Sequence, residues 1–401
     1  MTASKLLLAI TIAILLQLTL FAWFALRRRR LGLSVDLTAA VAVDGWKGWR
    51  DFRIVRRQSE DAAGNISSFY LKPCDNGSLP AFNPGQYLTF SVITEANSKE
   101  QVRCYSLSEY GDTSQYRVSI KRVPETSKTS DLMPVSVYFH DTLQVGDIVK
   151  VRAPMGRFVL DIESDTPVVL IAGGIGITPL LAMLHWLLAK QATRKVDLFY
   201  GARNSREMAF REHIGTLAES HPHFSFHLVF DSADPNDHLL PGFCEGRFIN
   251  TELLQKHLPY GNRQFYLCGP NAMMRAMTEG LRQWGVPEQA IHLESFGPSA
   301  LSSMPAITAS ADTATAYRIA FPESGTTAMW DGRDANLLEF AERLNLAIDS
   351  GCRAGNCGTC ETKILEGHVV YAEEPDFPVR PGFCLPCVCR PAGDLSLQIV
   401  S

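Results

Sequence analysis

The stretch Cys352-Arg-Ala-Gly-Asn-Cys357-Gly-Thr-Cys360 constrains this chain more tightly than any other. Its C-x4-C-x2-C spacing is that of a plant-type [2Fe-2S] loop, which needs a fourth thiolate from further along. Gly351, Ala354, Gly355 and Gly358 keep the loop small, so that backbone N–H groups can approach the sulfurs. The fourth ligand is expected from Leu385-Pro-Cys387-Val-Cys389, ahead of the last apolar strand. Zinc is the alternative, because Cys357-x2-Cys360 and Cys384-x2-Cys387 form two CxxC pairs. That arrangement leaves Cys352 and the glycines without a role, and its gap of 23 residues is long for a zinc ribbon.

Five of the ten cysteines crowd into 357–389, which favours a metal centre in a reducing compartment over a disulfide scaffold. At 401 residues the chain has room for several domains, and 46% hydrophobic with 20% charged residues is a globular composition. Net charge is −4, and without Lys5 and Arg27 to Arg30 the remaining 33 basic residues face 42 acidic ones. Nucleic acid is therefore not an expected partner.

Residues Leu6 to Leu26 carry no charge over 21 positions and are followed at once by Arg27-Arg28-Arg29-Arg30. At ~1.5 Å per residue such a run spans a ~30 Å hydrocarbon core. The arginines would keep the C-terminal side in the cytoplasm. A cleaved signal peptide would be shorter and would end in small residues. The expectation is a single-pass anchor (1–30) in the inner, cytoplasmic membrane, with the catalytic domains facing the cytoplasm.

From Trp46 to about Asp161 apolar and polar residues alternate between turn signals such as Asn76-Gly77 and Asn83-Pro-Gly85, as in a small antiparallel barrel. Pro167 to Ala172, Val196 to Tyr200, Phe224 to Phe230 and Gln264 to Cys268 read as strands. Helical stretches at Leu180 to Lys190 and Asn271 to Trp284 alternate with them, which predicts a parallel sheet covered on both faces. Residues 299–316 hold 13 Ala, Ser or Thr out of 18 and read as a tether. Beyond them, Tyr317 to Phe321 and Thr326 to Trp330 read as a hairpin and Asn336 to Leu344 as a helix.

Two further motifs carry chemistry. Arg103-Cys-Tyr105-Ser106, preceded by Gln86-Tyr87, offers a cation for phosphate, an aromatic ring and a hydroxyl along one strand, which suits a flavin. Gly173-Gly174-Ile-Gly176-Ile-Thr178-Pro179 follows a strand and opens a helix, as a pyrophosphate-binding turn does, although it is not G-x-G-x-x-G. Thr178 is placed to cap that helix, with Pro179 at its first position. Cys268-Gly269-Pro270 ends a later strand, so both segments meet at one crevice.

In this order, with Phe296-Gly-Pro298 added, the motifs resemble the ferredoxin–NADP reductase superfamily. Residues 47–297 are especially similar to the reductase part of flavohaemoglobins, including Gly201-Ala-Arg-Asn204 and Glu294-x-Phe-Gly-Pro298. A plant-type ferredoxin module after it is the domain order of phthalate dioxygenase reductase and phenylacetyl-CoA oxygenase reductases. The resemblance implies a multidomain protein. Its parts would be an antiparallel β-barrel FAD domain (47–161), an α/β parallel-sheet NAD(P) domain (166–297), a linker (298–316) and an α+β β-grasp ferredoxin domain (317–401).

It further implies that Gln86, Tyr87, Arg103, Tyr105, Ser106 and Phe296 hold FAD, with Ser136 near the pyrophosphate. Gly173, Gly174, Gly176, Thr178, Cys268, Gly269 and Pro270 would receive NADH or NADPH, and Arg203 and Arg206 could meet a 2′-phosphate. Ser106, Cys268, Glu294 and Phe296 would flank the hydride transfer. The cluster ligands would be Cys352, Cys357, Cys360 and Cys387, with Cys384 and Cys389 as spectators. The implied activity is electron transfer from NAD(P)H through FAD and [2Fe-2S] to a partner oxygenase, hydroxylase or desaturase. A quinone-linked respiratory reductase and a non-catalytic redox sensor are the alternatives. With 7 basic and 12 acidic residues, 317–401 would meet a basic acceptor surface, and Glu373-Glu-Pro-Asp376 is the expected acidic docking patch.

Overall fold

A computed structural model of the chain describes residues 45–94, 100–123, 133–296, 316–372 and 374–399. Six antiparallel strands form the first sheet: β1 (Arg50–Ser59), β2 (Ile66–Pro73), β3 (Tyr87–Val92), β4 (Gln101–Ser106), β5 (Tyr116–Lys121) and β6 (Ile148–Met155). Their order is β4-β3-β6-β1-β2-β5, and a bridge between Leu107 and Val118 brings the two edges together as a barrel. Alternation in β1 explains its orientation: Phe52 and Ile54 point inward, while Arg53 points out. Phe69, Phe90 and Phe139 fill the interior edge to face, with ring centroids 5.2 and 5.4 Å from Phe139. Each contributes roughly 1.5–3 kcal/mol by burial. Phe139 comes from α1 (Val135–Asp141), which plugs one end.

The second sheet is wholly parallel: β7 (Val168–Gly173), β8 (Val196–Ala202), β9 (Phe224–Phe230), β10 (Gln264–Cys268) and β11 (Ile291–Glu294), in the order β11-β10-β7-β8-β9. Val168 to Ala172 are all fully buried, as a strand covered on both faces requires. Leu170, Leu198, Leu228 and Tyr266 share one core with α2 (Ile177–Lys190) and α3 (Arg211–Ser220). Val169, Ile171, Phe199 and Leu267 share the other with α4 (Thr251–His257) and α5 (Asn271–Gln283). The strand order reverses at β7, where a crevice opens beyond the carboxyl ends of β7 and β10.

The C-terminal part opens with the expected hairpin, β12 (Tyr317–Phe321) and β13 (Thr326–Trp330). The expected helix is α6 (Leu337–Arg343), capped by Asn336, whose side chain accepts from Glu339 N at 3.0 Å. Then come β14 (Thr362–Glu366), β15 (Val369–Tyr371), β16 (Phe383–Cys384), β17 (Cys389–Pro391) and β18 (Leu395–Gln398). The mixed sheet β13-β12-β18-β14-β16 buries Ile319, Trp330, Leu337, Phe340 and Leu397, while β15 and β17 pair separately.

The inner-membrane, single-pass expectation is corrected. Residues 6–26 lie outside the described residues, and among those described no helix is long and apolar enough to cross a membrane. The longest, α2, has 14 residues and reaches only ~21 Å against a ~30 Å core. The expected tether also lies outside the described residues, apart from Ala316.

One partly buried imidazole gives a pH prediction. His185 Nε2 lies 2.7 Å from His213 Nε2, and burial, then Arg117 and His213, push His185 down to about 3. Between that value and its ordinary 6.5 the unfolded chain binds a proton that the folded chain refuses. The stability is therefore intact above pH 6.5 and falls as the pH drops toward 3. His185→Asn should reduce the loss of unfolding free energy between pH 7.5 and pH 5 by about 1–2 kcal/mol, measured by urea unfolding at both pH values.

Candidate functional site

The barrel, the parallel sheet and the cysteine loop contribute to one cleft of about 1080 Å³. The barrel supplies Tyr87 and the strand β4 from Gln101 to Cys104 with Ser106. The end of β11 supplies Glu294 and Phe296, and the loop supplies Gly351 to Ala354 and Asn356. Of the residues expected around the flavin and the hydride, Tyr87, Arg103, Ser106, Glu294 and Phe296 meet here. Phe296 is 43% exposed, a ring free to stack on a bound ligand.

Four others, Gln86, Tyr105, Ser136 and Cys268, do not line the cleft. Gln86 Oε1 accepts from Asn83 N at 2.8 Å and shapes the preceding turn. The partly buried Tyr105 ring packs edge-on against Phe90 and Phe139 of the barrel core, with centroids 5.6 Å away in both cases. Ser136 Oγ accepts from Val123 N at 3.3 Å. Arg103 Nη1 donates to Val102 O at 2.7 Å and to Gly351 O at 3.3 Å, so its guanidinium bridges β4 and the cysteine loop.

The cleft fits a polar, planar ligand such as a flavin. Ser106 Oγ and Glu294 Oε2 are buried in it with no hydrogen-bond partner among the described residues. An orphaned buried polar atom costs ~1–3 kcal/mol. A ring edge carrying both donors and acceptors would satisfy both atoms. Burial, reinforced by Asp376, pushes the Glu294 carboxyl well above the usual carboxylate range.

The nucleotide turn is built by close packing. A Cβ on Gly173 would lie 2.5 Å from Pro270 Cδ, and one on Gly269 would lie 2.9 Å from Gly173 Cα. A Cβ on Gly176 would collide with the Cys268 carbonyl. These three glycines let the ends of β7 and β10 touch. Gly174 differs: it has φ +54° and nothing within 4 Å, so it faces open space where a phosphate could approach. Thr178 is not the cap. Helix α2 begins at Ile177 after a short 3-10 turn, and Thr178 Oγ1 donates to Ile175 O at 3.0 Å. Cys268 is fully buried beside Glu294 in the β10–β11 register, and burial pushes its thiol well up. Arg203 pairs with Glu207 at 3.1 Å, the solvated partner four residues on.

All ten cysteines are free thiols. Within the loop, Ala354 N and Asn356 N donate to Cys352 Sγ at 3.4 and 3.2 Å, and Cys352 N donates to Cys357 Sγ at 3.3 Å. Such N–H donors stabilise thiolates. Cys360 Sγ and Cys387 Sγ lie 3.2 Å apart. Cys384 and Cys389, on β16 and β17, are fully buried in the same core as Cys360 and Cys387. The donor set suits a four-thiolate cluster on Cys352, Cys357, Cys360 and Cys387.

Barrel side chains hold this loop by its backbone. Tyr87 Oη donates to Asn356 O at 3.0 Å, and Arg152 Nη1 donates to Cys357 O at 3.0 Å. Arg157 N donates to Asp376 Oδ1 at 3.1 Å, and Arg157 Nη1 pairs with Glu374 at 2.8 Å. The acidic patch expected to dock an acceptor is thus turned, at Glu374 and Asp376, toward the barrel, while Glu373 lies outside the described residues. Cys104 of β4 was not anticipated either. Its hydrogen bond is the first cause that pushes the Cys352 thiol up to about 11, which puts a barrel thiol beside the loop. Its only sequence signal was to stand as the variable residue of Arg-x-Tyr-Ser.

Residues 170–279 match the oxidoreductase NAD-binding domain, and residues 323–392 match the 2Fe-2S iron-sulfur cluster binding domain. The second match decides against zinc in the cysteine loop. The flavohemoprotein of Bacillus cereus is 37% identical over 262 residues, covering 65% of this chain and 64% of that protein. That of Deinococcus radiodurans is 37% identical over 255 residues, covering 64% and 61%. This chain thus spans just under two thirds of these relatives' length. The flavohem-like FAD/NAD-binding domain of nitric oxide dioxygenase from Vibrio cholerae is 33% identical with a TM-score of 0.55, covering 62% of this chain and 99% of that one. Phthalate dioxygenase reductase is 26% identical with a TM-score of 0.53, and its alignment covers 88% of this chain and 98% of that one. The chain belongs to the ferredoxin–NADP reductase superfamily, with a 2Fe-2S ferredoxin domain following its flavin- and NAD-binding modules.

Proposed function

We propose that this protein is an NAD(P)H-dependent reductase that passes electrons through FAD and a [2Fe-2S] cluster to a partner protein such as an oxygenase, hydroxylase or desaturase component. The observation that carries the reading is the shared cleft, where Arg103 and Ser106, Glu294 and Phe296, and the loop around Cys352 face one space. Held in the cleft and by the cysteine loop, FAD and a [2Fe-2S] cluster would together supply the conversion of a two-electron hydride into single electrons.

The chain's own residues bind, orient and exclude water. Ser106 Oγ and the Glu294 carboxyl would complete their hydrogen bonds on the flavin and nicotinamide edges, and Phe296 would cover the exposed ring face. Gly174 would let backbone approach the nucleotide pyrophosphate, and the start of α2 would face it with N–H donors. Tyr87, Arg103 and Arg152 grip the loop through carbonyls, and so fix its distance from the cleft.

Two assays test the proposal. The purified chain loaded with FAD and iron–sulfur should reduce both ferricyanide and cytochrome c at the expense of NADH or NADPH. Absence of NAD(P)H oxidation with either acceptor would sink the reading and restore the redox-sensor alternative. Arg157→Glu faces Glu374 and Asp376 with a third carboxylate. It should slow cytochrome c reduction several-fold while ferricyanide reduction is kept, with stability changed by only ~1 kcal/mol, because the pair is half exposed.

A further inference from the structure

We propose that the parallel-sheet domain carries a second metal site, for a zinc-type divalent cation, formed by His227, Cys244 and His257 with Asp197 beside them. The ligand atoms of His227, Cys244 and His257 all lie within 4.8 Å of one another. They come from three separate segments: His227 from β9, Cys244 from the stretch after it, and His257 from the last residue of α4. Cys244 Sγ stands 3.7 Å from His257 Nε2. Bond lengths of ~2.3 Å for Zn–S and ~2.0–2.1 Å for Zn–N at tetrahedral angles put such a pair about 3.5 Å apart. The observed pair is therefore almost at ligand spacing.

A second observation points the same way. His227 Nε2 is buried with no hydrogen-bond partner among the described residues. Asp197 Oδ1, the nearest carboxylate oxygen to it, is 3.7 Å away, too far for a hydrogen bond. His227 cannot turn away easily, because its ring is stacked on Phe199 with centroids 4.3 Å apart and 14° between planes. The His257 ring lies 4.6 Å from it, tilted by 55°. A cation among these atoms would complete the orphaned nitrogen and the thiolate at once.

Charge and softness select the ion. One thiolate and two imidazoles form a borderline-soft set that suits zinc and excludes magnesium or calcium. Asp197, 14% exposed, brings a second negative charge, so a divalent ion with Cys244 and Asp197 would be neutral in a largely buried place. Asp197 or a water would fill the fourth position. The site would be structural, because it lies on the α4 face of the sheet and none of its residues lines the cleft. It would clip the segment at 242–244, which is hydrogen-bonded to Leu228 on the free edge of β9, to α4.

The test uses the full chain loaded with FAD and iron–sulfur, washed with a mild chelator, supplied with zinc and freed of excess. Elemental analysis should find one zinc per chain in addition to the iron. Zinc-edge X-ray absorption should show a mixed nitrogen and sulfur shell, which separates this site from the all-sulfur cysteine loop. Cys244→Ser and His257→Gln should each lose the zinc while iron and flavin contents stay unchanged. If Cys244→Ser does not fold, His257→Gln, on a partly exposed side chain at a helix end, carries the test alone. No retained zinc, an all-sulfur shell, or zinc kept in the variants would each overturn the proposal.

Discussion

Cys387→Ser should abolish the iron–sulfur chromophore and bring cytochrome c reduction to background, while NAD(P)H still reduces ferricyanide through the flavin. The geometry separates this cysteine from its neighbours. Cys387 Sγ lies 3.2 Å from Cys360 Sγ, whereas Cys384 and Cys389 are fully buried among Leu385, Leu395 and Leu397. Serine at 387 removes a soft ligand that the cluster needs. Serine at 384 or 389 places a hydroxyl in an apolar core and should cost ~1–3 kcal/mol of stability. Iron content per folded chain should then stay at the wild-type level, as measured by iron analysis and visible absorption on the three variants side by side.

Gly176→Ala should be the most damaging small substitution in the nucleotide domain. The new methyl would lie 2.8 Å from Gly269 N and would meet the Cys268 carbonyl head-on. Neither is the flexible end of a side chain, so β7 and β10 must move apart at the crevice. Overpacking of this kind costs ~1–3 kcal/mol or more. The KM for NAD(P)H should rise at least ~10-fold, the equivalent of ~1.4 kcal/mol of lost binding. Gly174→Ala meets no atom and pays only the left-handed backbone penalty of ~1–2 kcal/mol. A Gly174→Ala variant as unstable as Gly176→Ala would contradict this account of the turn.

The sequence was most legible where one local rule dominates. The β9 and β10 bounds and the hairpin of β12 and β13 follow from runs of apolar residues and turn chemistry, and the structure keeps them; the helix read over Asn336 to Leu344 loses one residue at each end, Asn336 becoming its cap. Thiolate spacing made the cluster loop readable before any fold was known. Contacts between modules were not readable. Arg152 and Arg157 look like solvated charges in sequence, and only tertiary packing brings them to Cys357 O and Glu374. The same packing pairs Glu374 and Asp376 with Arg157 of the barrel, although the Glu374 side chain stays exposed.

Tyr105 shows what a motif leaves out: it offered a ring for the ligand, and the structure adds that this partly buried ring also packs edge-on against Phe90 and Phe139. The apolar run at 6–26 obeyed a length rule for spanning, yet no described helix fulfils it. His227, Cys244 and His257 were invisible in sequence because their separations, 17 and 13 residues, match no metal-ligand motif.

The central claim is that electrons move from NAD(P)H through the shared cleft into the C-terminal cluster. Anaerobic titration of the loaded full chain with NADH and then NADPH, followed by visible absorption and electron paramagnetic resonance, tests it most directly. The account predicts bleaching of the flavin band, loss of the iron–sulfur bands and the appearance of a reduced [2Fe-2S] resonance. A flavin that bleaches while the cluster stays oxidised would contradict the proposed path at the contact held by Tyr87, Arg103 and Arg152.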